Sequence, residues 1–382
     1  MRRINLVAAI FLLAVASGCV EQETQAVEPS AIPTAIPTTQ IPSPEPLPTE
    51  TIVLPTETIT PAPLPTETPR PFLPPDLALL NYQTLGRVEE LASISLPEVI
   101  DLEFSPDGRF LRMRVPAGEQ IHEDIFYDLE KGEEIFRLEG GQRIYFNPDS
   151  TTIAALDGTS LTIYQLPSGE ETAQFNSKNQ LAALSPDGRL IVEAEAVDPG
   201  TTLTLVDLTS GEDIYQIYIN GTMEQESLHF DLDGKNMAVT YFVPPGTYVS
   251  TIWSVKTGWA IFTEYGYTEI ALHPFGSEVA VSSARRSYIS LISTVTWDQR
   301  DYLGSAGEDP GYYDIAYASR GRLIYALSDV ETTTASFWYP PSGEKIDLDL
   351  GLDLLAVTIS PDRRYLATSD KSGSVIIWGI PE

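Results

Sequence analysis

Ser105-Pro106-Asp107-Gly108, Asn147-Pro148-Asp149-Ser150 and Ser185-Pro186-Asp187-Gly188 are three copies of one phrase, spaced about forty residues apart. The phrase decays to Asp231-Leu232-Asp233-Gly234, His273-Pro274-Phe275-Gly276 and Ala318-Ser319-Arg320-Gly321, then returns as Ser360-Pro361-Asp362-Arg363. Serine first, proline second and glycine fourth suit a type I turn. Proline pre-sets its backbone angle, and the short polar side chains bond back to nearby amides. Upstream of the first copy, Ile100-Asp101-Leu102-Glu103-Phe104 alternates apolar and acidic residues, the period of a half-buried strand. Downstream, 109–115 reads as a second strand, 116–123 as a looser connection and 124–129 as a third strand. A second tight turn, Glu130-Lys131-Gly132-Glu133, opens a fourth strand over 134–138. That turn recurs as Pro167-Ser168-Gly169-Glu170, Thr209-Ser210-Gly211-Glu212, Lys256-Thr257-Gly258-Trp259 and Pro341-Ser342-Gly343-Glu344.

Four short antiparallel strands per period of about forty residues describe one blade of a β-propeller. The expected fold class is all-β, a seven-bladed β-propeller of four-stranded antiparallel blades. Helical repeats would need apolar residues at three-and-four spacing, and the Gly/Pro punctuation is too dense for them. The degenerate fifth and sixth turns leave six or eight blades as alternatives. The last copy supplies only three strands, 354–359, 365–369 and 374–380. The segment 87–96, carrying Val88, Leu91, Ile94 and Leu96, stands just ahead of the first blade with no strands of its own before it. It is expected to pair with 374–380 and close the ring, because an open ring leaves two raw strand edges.

The last copy resembles a WD-repeat: Ala356-Val357-Thr358-Ile359-Ser360-Pro361-Asp362, Tyr365-Leu366-Ala367-Thr368-Ser369-Asp370, then Gly373-Ser374-Val375-Ile376-Ile377-Trp378. The first and third copies resemble the related Pro-Asp-type bacterial propeller repeats. The resemblance spans about residues 87–380 and implies a propeller. It departs from the eukaryotic pattern, since Trp253 is followed by Ser254, Trp338 by Tyr339 and Trp378 by Gly379. With three histidines in the chain, the family's Asp-His-Ser/Thr-Trp network cannot repeat around the ring. The fold carries over; a specific WD-repeat function does not.

The N-terminus reads Met1-Arg2-Arg3, a mostly apolar run to Val15, then Ala16-Ser17-Gly18-Cys19. A positive start, an apolar core and small residues make a secretion signal, and the run is too short to span a bilayer stably. Small residues directly before a cysteine resemble the bacterial lipoprotein box, which implies a signal peptide over 1–18 and lipidation of Cys19, the only cysteine. Residues 19–75 are rich in Pro, Thr and Glu, as in Pro48-Thr49-Glu50-Thr51. Such a stretch buries too little apolar surface to offset chain entropy, so a disordered, extended linker is expected. Residues 76–382 are expected to hold the propeller.

The formal net charge is −31. Nucleic-acid binding is disfavoured, because its backbone term needs a basic face. Repulsion from an anionic lipid surface suits a domain held off the membrane on a stalk. One cysteine permits no disulfide within the chain.

No catalytic constellation stands out, and no metal or cofactor is expected. His122, His229 and His273 fall in three different repeats, and no Gly-x-Ser-x-Gly elbow is present. Asp347-Leu348-Asp349-Leu350-Gly351-Leu352-Asp353 fits a strand with one solvated acidic face better than a calcium loop. A candidate binding rim gathers loops of blades four to six: Tyr248, Tyr265, Tyr267, Arg285, Arg286, Tyr312 and Tyr313. Tyr and Arg are favoured where surfaces make specific contacts. The expectation is a monomeric, non-catalytic protein-binding scaffold, lipid-anchored on the outer face of the cell membrane, with a protein partner in the envelope or outside the cell. The alternatives are a propeller that binds or acts on a small molecule or polymer (lactonase-like, glycan-binding or quinone-dependent) and an envelope assembly factor. A funnel lined by converging carboxylates with His or Arg favours the ligand-binding alternative, and a purely apolar axial channel counts against it.

Overall fold

The structure, a computed structural model, describes residues 72–74, 76–118, 121–140, 142–266, 269–274, 276, 278–282, 288–304, 312–318, 321–328 and 333–382. The expected signal peptide, Cys19 and all of the linker before Phe72 lie outside the described residues. The described chain is a seven-bladed propeller. Its 28 strands form seven four-stranded antiparallel sheets, and the only helix among the described residues is a 3₁₀ turn at Leu85–Arg87.

Six blades are continuous in sequence. Blade 1 runs Asp101–Phe104, Phe110–Gly118, Ile121–Asp128 and Glu133–Glu139, from the axis outward. Blades 2 to 6 open with inner strands Arg143–Phe146, Gln180–Leu184, Thr222–Phe230, Glu269–Leu272 and Tyr312–Ala318. Blade 7 takes Leu354–Ile359, Leu366–Asp370 and Ser374–Gly379 from the end of the sequence and Glu89–Ser95 from before blade 1. The closing pairs run from Glu89↔Gly379 to Ser95↔Ser374, as the sequence led us to expect. The central hairpin of blade 1 is longer than expected, and His122 lies in its third strand rather than in a connection.

The repeated phrase earns its spacing at the first turn of each blade. Ser105 Oγ donates to Asp107 Oδ1 at 2.6 Å and accepts from the Phe110 amide at 2.9 Å. Asp107 Oδ1 also accepts from the Arg109 amide at 3.0 Å. Ser185 with Asp187, and Ser360 with Asp362, repeat the pattern. The fourth position has φ of +76° at Gly108 and +69° at Gly188, where a glycine carries no Cβ penalty. Ser150 takes that slot at +57° and uses its hydroxyl to accept from the Asp107 amide of the neighbouring blade at 3.0 Å.

The decayed copies also fit their surroundings. His273 replaces the serine in blade 5, is buried, and sets its ring edge-on to Tyr317 of blade 6 at 5.0 Å. A Cβ at Gly321 would sit 1.7 Å from His273 Nε2, so a bulky ring in one turn requires glycine in the next. At the second turn, Asp128 Oδ1 accepts from the amides of Glu130 and Lys131, and Asp207 Oδ1 from those of Thr209 and Ser210. Blades 1 and 3 thus keep the aspartate of the Trp-Asp pattern without its tryptophan, and blades 4, 6 and 7 the reverse.

The core is divided among the blade interfaces. Seven hydrophobic clusters lie among the described residues, one at each seam between adjacent blades. The seam between blades 7 and 1 joins Ile94, Val375 and Ile377 to Leu102, Met113 and Ile125. Leu73 is buried in the same seam, and Phe72 meets Tyr127 with ring centroids 5.7 Å apart, so packing begins ahead of the boundary expected at 76. Leu80 and Leu85 cap the seam between blades 6 and 7, where the Leu80 amide donates to Arg363 O at 2.7 Å. Because each seam is a separate close-packed core, Ile377→Ala, fully buried in the wild type, is expected to destabilise the propeller by about 2–5 kcal/mol in urea unfolding. A change well under 1 kcal/mol would mean that the closing seam is not a close-packed core.

Candidate functional site

The innermost strand of every blade presents one edge to the axis, and an unpaired edge exposes backbone N–H and C=O groups that need water or side chains. A cavity of about 1020 Å³ occupies the axis. It is lined by Asp101, Glu103, Arg112 and Arg114 from blade 1, Arg143 and Tyr145 from blade 2, and His229, Tyr241, Phe242 and Tyr248 from blade 4. Glu269 of blade 5, Tyr317 of blade 6 and Leu355 of blade 7 also line it. Asp101, Arg143 and Glu269 each begin an inner strand, so they share the mouth of the channel where the loops between blades lie.

Charge around this channel is organised by arginine. The Arg112 side chain, 7% exposed, reaches Asp101 Oδ2 at 2.6 Å, Glu103 Oε2 at 3.0 Å and Asp124 Oδ1 at 2.9 Å. Arg114 forks onto both oxygens of Asp124 at 3.0 and 3.2 Å and donates to Gln142 O, in the connection to blade 2, at 2.5 Å. Arg143 reaches past blade 3, donating to Ala182 O and, at 2.8 Å, to Leu228 O of blade 4. Two carbonyls of inner-strand edges are thereby satisfied by one guanidinium. Strand registers slip beside Ala182 and Leu355, the bulge device that re-aims a residue at an edge.

Enclosure and arginine pull the two channel carboxylates apart. Enclosure alone raises Asp101, but Arg112, with help from Arg114, outweighs it and holds the carboxyl below its ordinary value. For Glu103 the enclosure wins. Arg112 opposes it, the charges of Asp101 and Asp124 add to it, and the carboxyl is held above its ordinary value. Both side chains still open onto the channel, with 41% and 42% of their surface exposed.

The rim residues expected from sequence fare differently. Tyr248 (41% exposed) and Tyr265 (64%) stand on the rim of blade 4, and Tyr248 also borders the channel mouth, edge-on to Phe242 at 5.5 Å. Tyr312 is corrected to a core residue. It is 2% exposed, because it begins an inner strand and turns into the seam between blades 5 and 6, perpendicular to Trp338 at 4.9 Å. Tyr267, Arg285 and Arg286 lie outside the described residues, as does the side chain of Tyr313. Two tyrosines that the sequence did not single out complete a band. Tyr218 of blade 3 and Tyr302 of blade 5 are exposed at the same end of the outermost strand as Tyr265. Their signal was positional: each falls at or next to the last residue of a fourth strand.

Among the described residues, no group of three or more His, Cys, Asp or Glu is placed to hold a metal. No protein-family model matches the chain, and no curated protein matches it. Among solved structures, the β-propeller domain of Myceliophteria thermophila Cps50 (Swd1) is similar. Its TM-score is 0.57 at 14% identity, over 77% of this chain and 99% of that one. At that identity the likeness is one of fold, and the fold is a WD-repeat-like β-propeller.

The opposed carboxyl shifts have opposite consequences for stability. Ionised Asp101 stabilises the fold above the ordinary aspartate value of 3.8, and this is lost as pH falls through the lower folded-state value. Glu103 favours the fold below its ordinary value of 4.5, and this is lost as pH rises through the higher folded-state value. An amide mimics the protonated carboxyl. Asp101→Asn is therefore expected to lower the melting temperature at pH 7, a difference that persists down to pH 4, and Glu103→Gln to raise it, a difference that shrinks towards pH 4. Thermal melts of the two variants from pH 4 to 8 check the signs; equal signs would refute the assignment.

Proposed function

We propose that this chain is a bacterial lipoprotein, lipid-anchored through Cys19 on the outer face of the cell membrane, whose propeller is a non-catalytic platform for a protein partner. In this reading residues 1–18 are the signal peptide, 19–75 the stalk and 76–382 the platform, which works as a monomer. The observation that carries the platform is the band of exposed tyrosines, Tyr218, Tyr265 and Tyr302, at one end of three adjacent blades, with Tyr248 beside it. Tyrosine offers a large contact area at low entropic cost, and the packed seams beneath hold the band rigid. The anchor is supported by Ala16-Ser17-Gly18-Cys19 and the Pro/Thr/Glu composition that follows. The excess of acidic residues supports a partner other than nucleic acid.

A second reading, a propeller that binds a small molecule or polymer in its channel, is favoured by the carboxylates, arginines and histidine that converge there.

Two measurements test the proposal. In a bacterial host fed an alkyne fatty acid, the full-length chain is expected to take up label and Cys19→Ser to lose it; equal labelling would overturn the anchor. In crosslinking on intact cells, Tyr265→Ala combined with Tyr218→Ala is expected to cut capture of a specific envelope protein about tenfold. Undiminished capture would overturn the tyrosine band as the binding face.

A further inference from the structure

We infer that the axial channel is a binding site for an alkylammonium group, held between the carboxylates of blade 1 and the aromatic wall of blade 4. The inference is independent of the platform reading, since a free amine needs no partner protein.

The first step concerns which charges a visitor to the channel would meet. The arginines are spent. Arg112 is 7% exposed and divides its donors among three carboxylates, and Arg114 is 10% exposed and forked onto Asp124. The guanidinium of Arg143 is turned onto backbone carbonyls. Asp101 and Glu103 each give one oxygen to Arg112, yet about two-fifths of each side chain remains open to the cavity. The polar wall therefore offers acceptors, with its positive charge set behind them. An anion on this wall would face carboxylate oxygens, with the guanidiniums already engaged.

The second step concerns the opposite wall. Blade 4 contributes Tyr241, Phe242 and Tyr248 to the same cavity. Aromatic faces attract cations through their ring quadrupole and cover the methylenes of an alkyl chain. Carboxylate acceptors and rings in one cavity select an organic cation. A bare metal ion is a poorer fit, because about 1020 Å³ far exceeds it and no described cluster of three ligating side chains surrounds the space. The −31 charge of the chain raises the local concentration of any cation near the mouth.

The ammonium group has two natural carriers, a free diamine or polyamine and a lysine side chain on another protein. Titration calorimetry of the full-length chain separates them, with cadaverine and spermidine as free amines, Nα-acetyl-lysine methylamide as the side-chain mimic, and 1,5-pentanediol and maltotriose as neutral controls. Saturable one-to-one binding of an amine, with no heat from the neutral compounds, is expected. Glu103→Gln is expected to weaken it about tenfold, and Tyr241→Ala to weaken it independently. Glu130→Gln, on the surface outside the channel, leaves it unchanged. Tighter binding of the lysine mimic assigns the site to a partner's side chain, and tighter binding of the free amines assigns it to a small-molecule ligand; either supports the site. The inference is overturned if no amine saturates at millimolar concentration or if maltotriose binds as tightly as the amines. It is also overturned if Glu103→Gln and Glu130→Gln, both folded by thermal melt, bind like the wild type.

Discussion

The pairing of Glu89–Ser95 with Ser374–Gly379 inside blade 7 is the constraint on which the rest of the structure depends. Each blade is a small twisted sheet that cannot bury both its faces alone. Packed in a line, the seven would leave two end blades with an apolar face in water; packed in a ring, every face has a neighbour. The seven separate clusters are the signature of this arrangement. No cluster is large, but none can be lost without opening the circle.

Closure also dictates the chemistry at the centre. Seven inner edges converge on one axis, and their unpaired backbone groups call for polar side chains among the apolar ones that line it. The chain meets that demand with side chains: Arg143 tends carbonyls of blades 3 and 4, and Arg114 tends one in the connection to blade 2. Once arginines are set there, carboxylates must follow, and Asp101, Glu103 and Asp124 supply them. The result is a wall of salt bridges with its acceptors outermost. Such a wall costs desolvation energy, which the mutual pairing of the charges and the hydrogen bonds to backbone carbonyls offset.

Much of this fold was legible in the sequence, for a local reason. The turn chemistry of Ser105-Pro106-Asp107-Gly108 involves residues two to five apart, so its copies keep their meaning wherever the chain goes. The closing strand could be deduced because a blade was visibly one strand short. The channel could not. Arg143, Ala182 and Leu228 lie in three blades, and nothing in the local pattern of Arg143-Ile144-Tyr145 says that its side chain will cross two seams. Asp101 and Glu103 were read only as the polar half of an alternating strand, because period-two alternation reports a side of the sheet and not what lies opposite. Tyr312 was misplaced for the same reason: its neighbours suggest a loop tip, and only the packing against Trp338 turns it inward.

The entry of the chain into the ring has a mechanical side. Phe72 lies against Tyr127 and the Gly132 turn, Leu73 is buried in the seam between blades 7 and 1, and Leu77 bridges to Pro381 before the closing strand begins. Tension drawn through the amino-terminal side would reach these contacts first and spread into blades 1 and 7 before it acted on Glu89. The ring thus has a strain relief, like the clamp that keeps a pulled cable from loading its solder joint. The strand that seals the circle is the last of these elements to feel the pull.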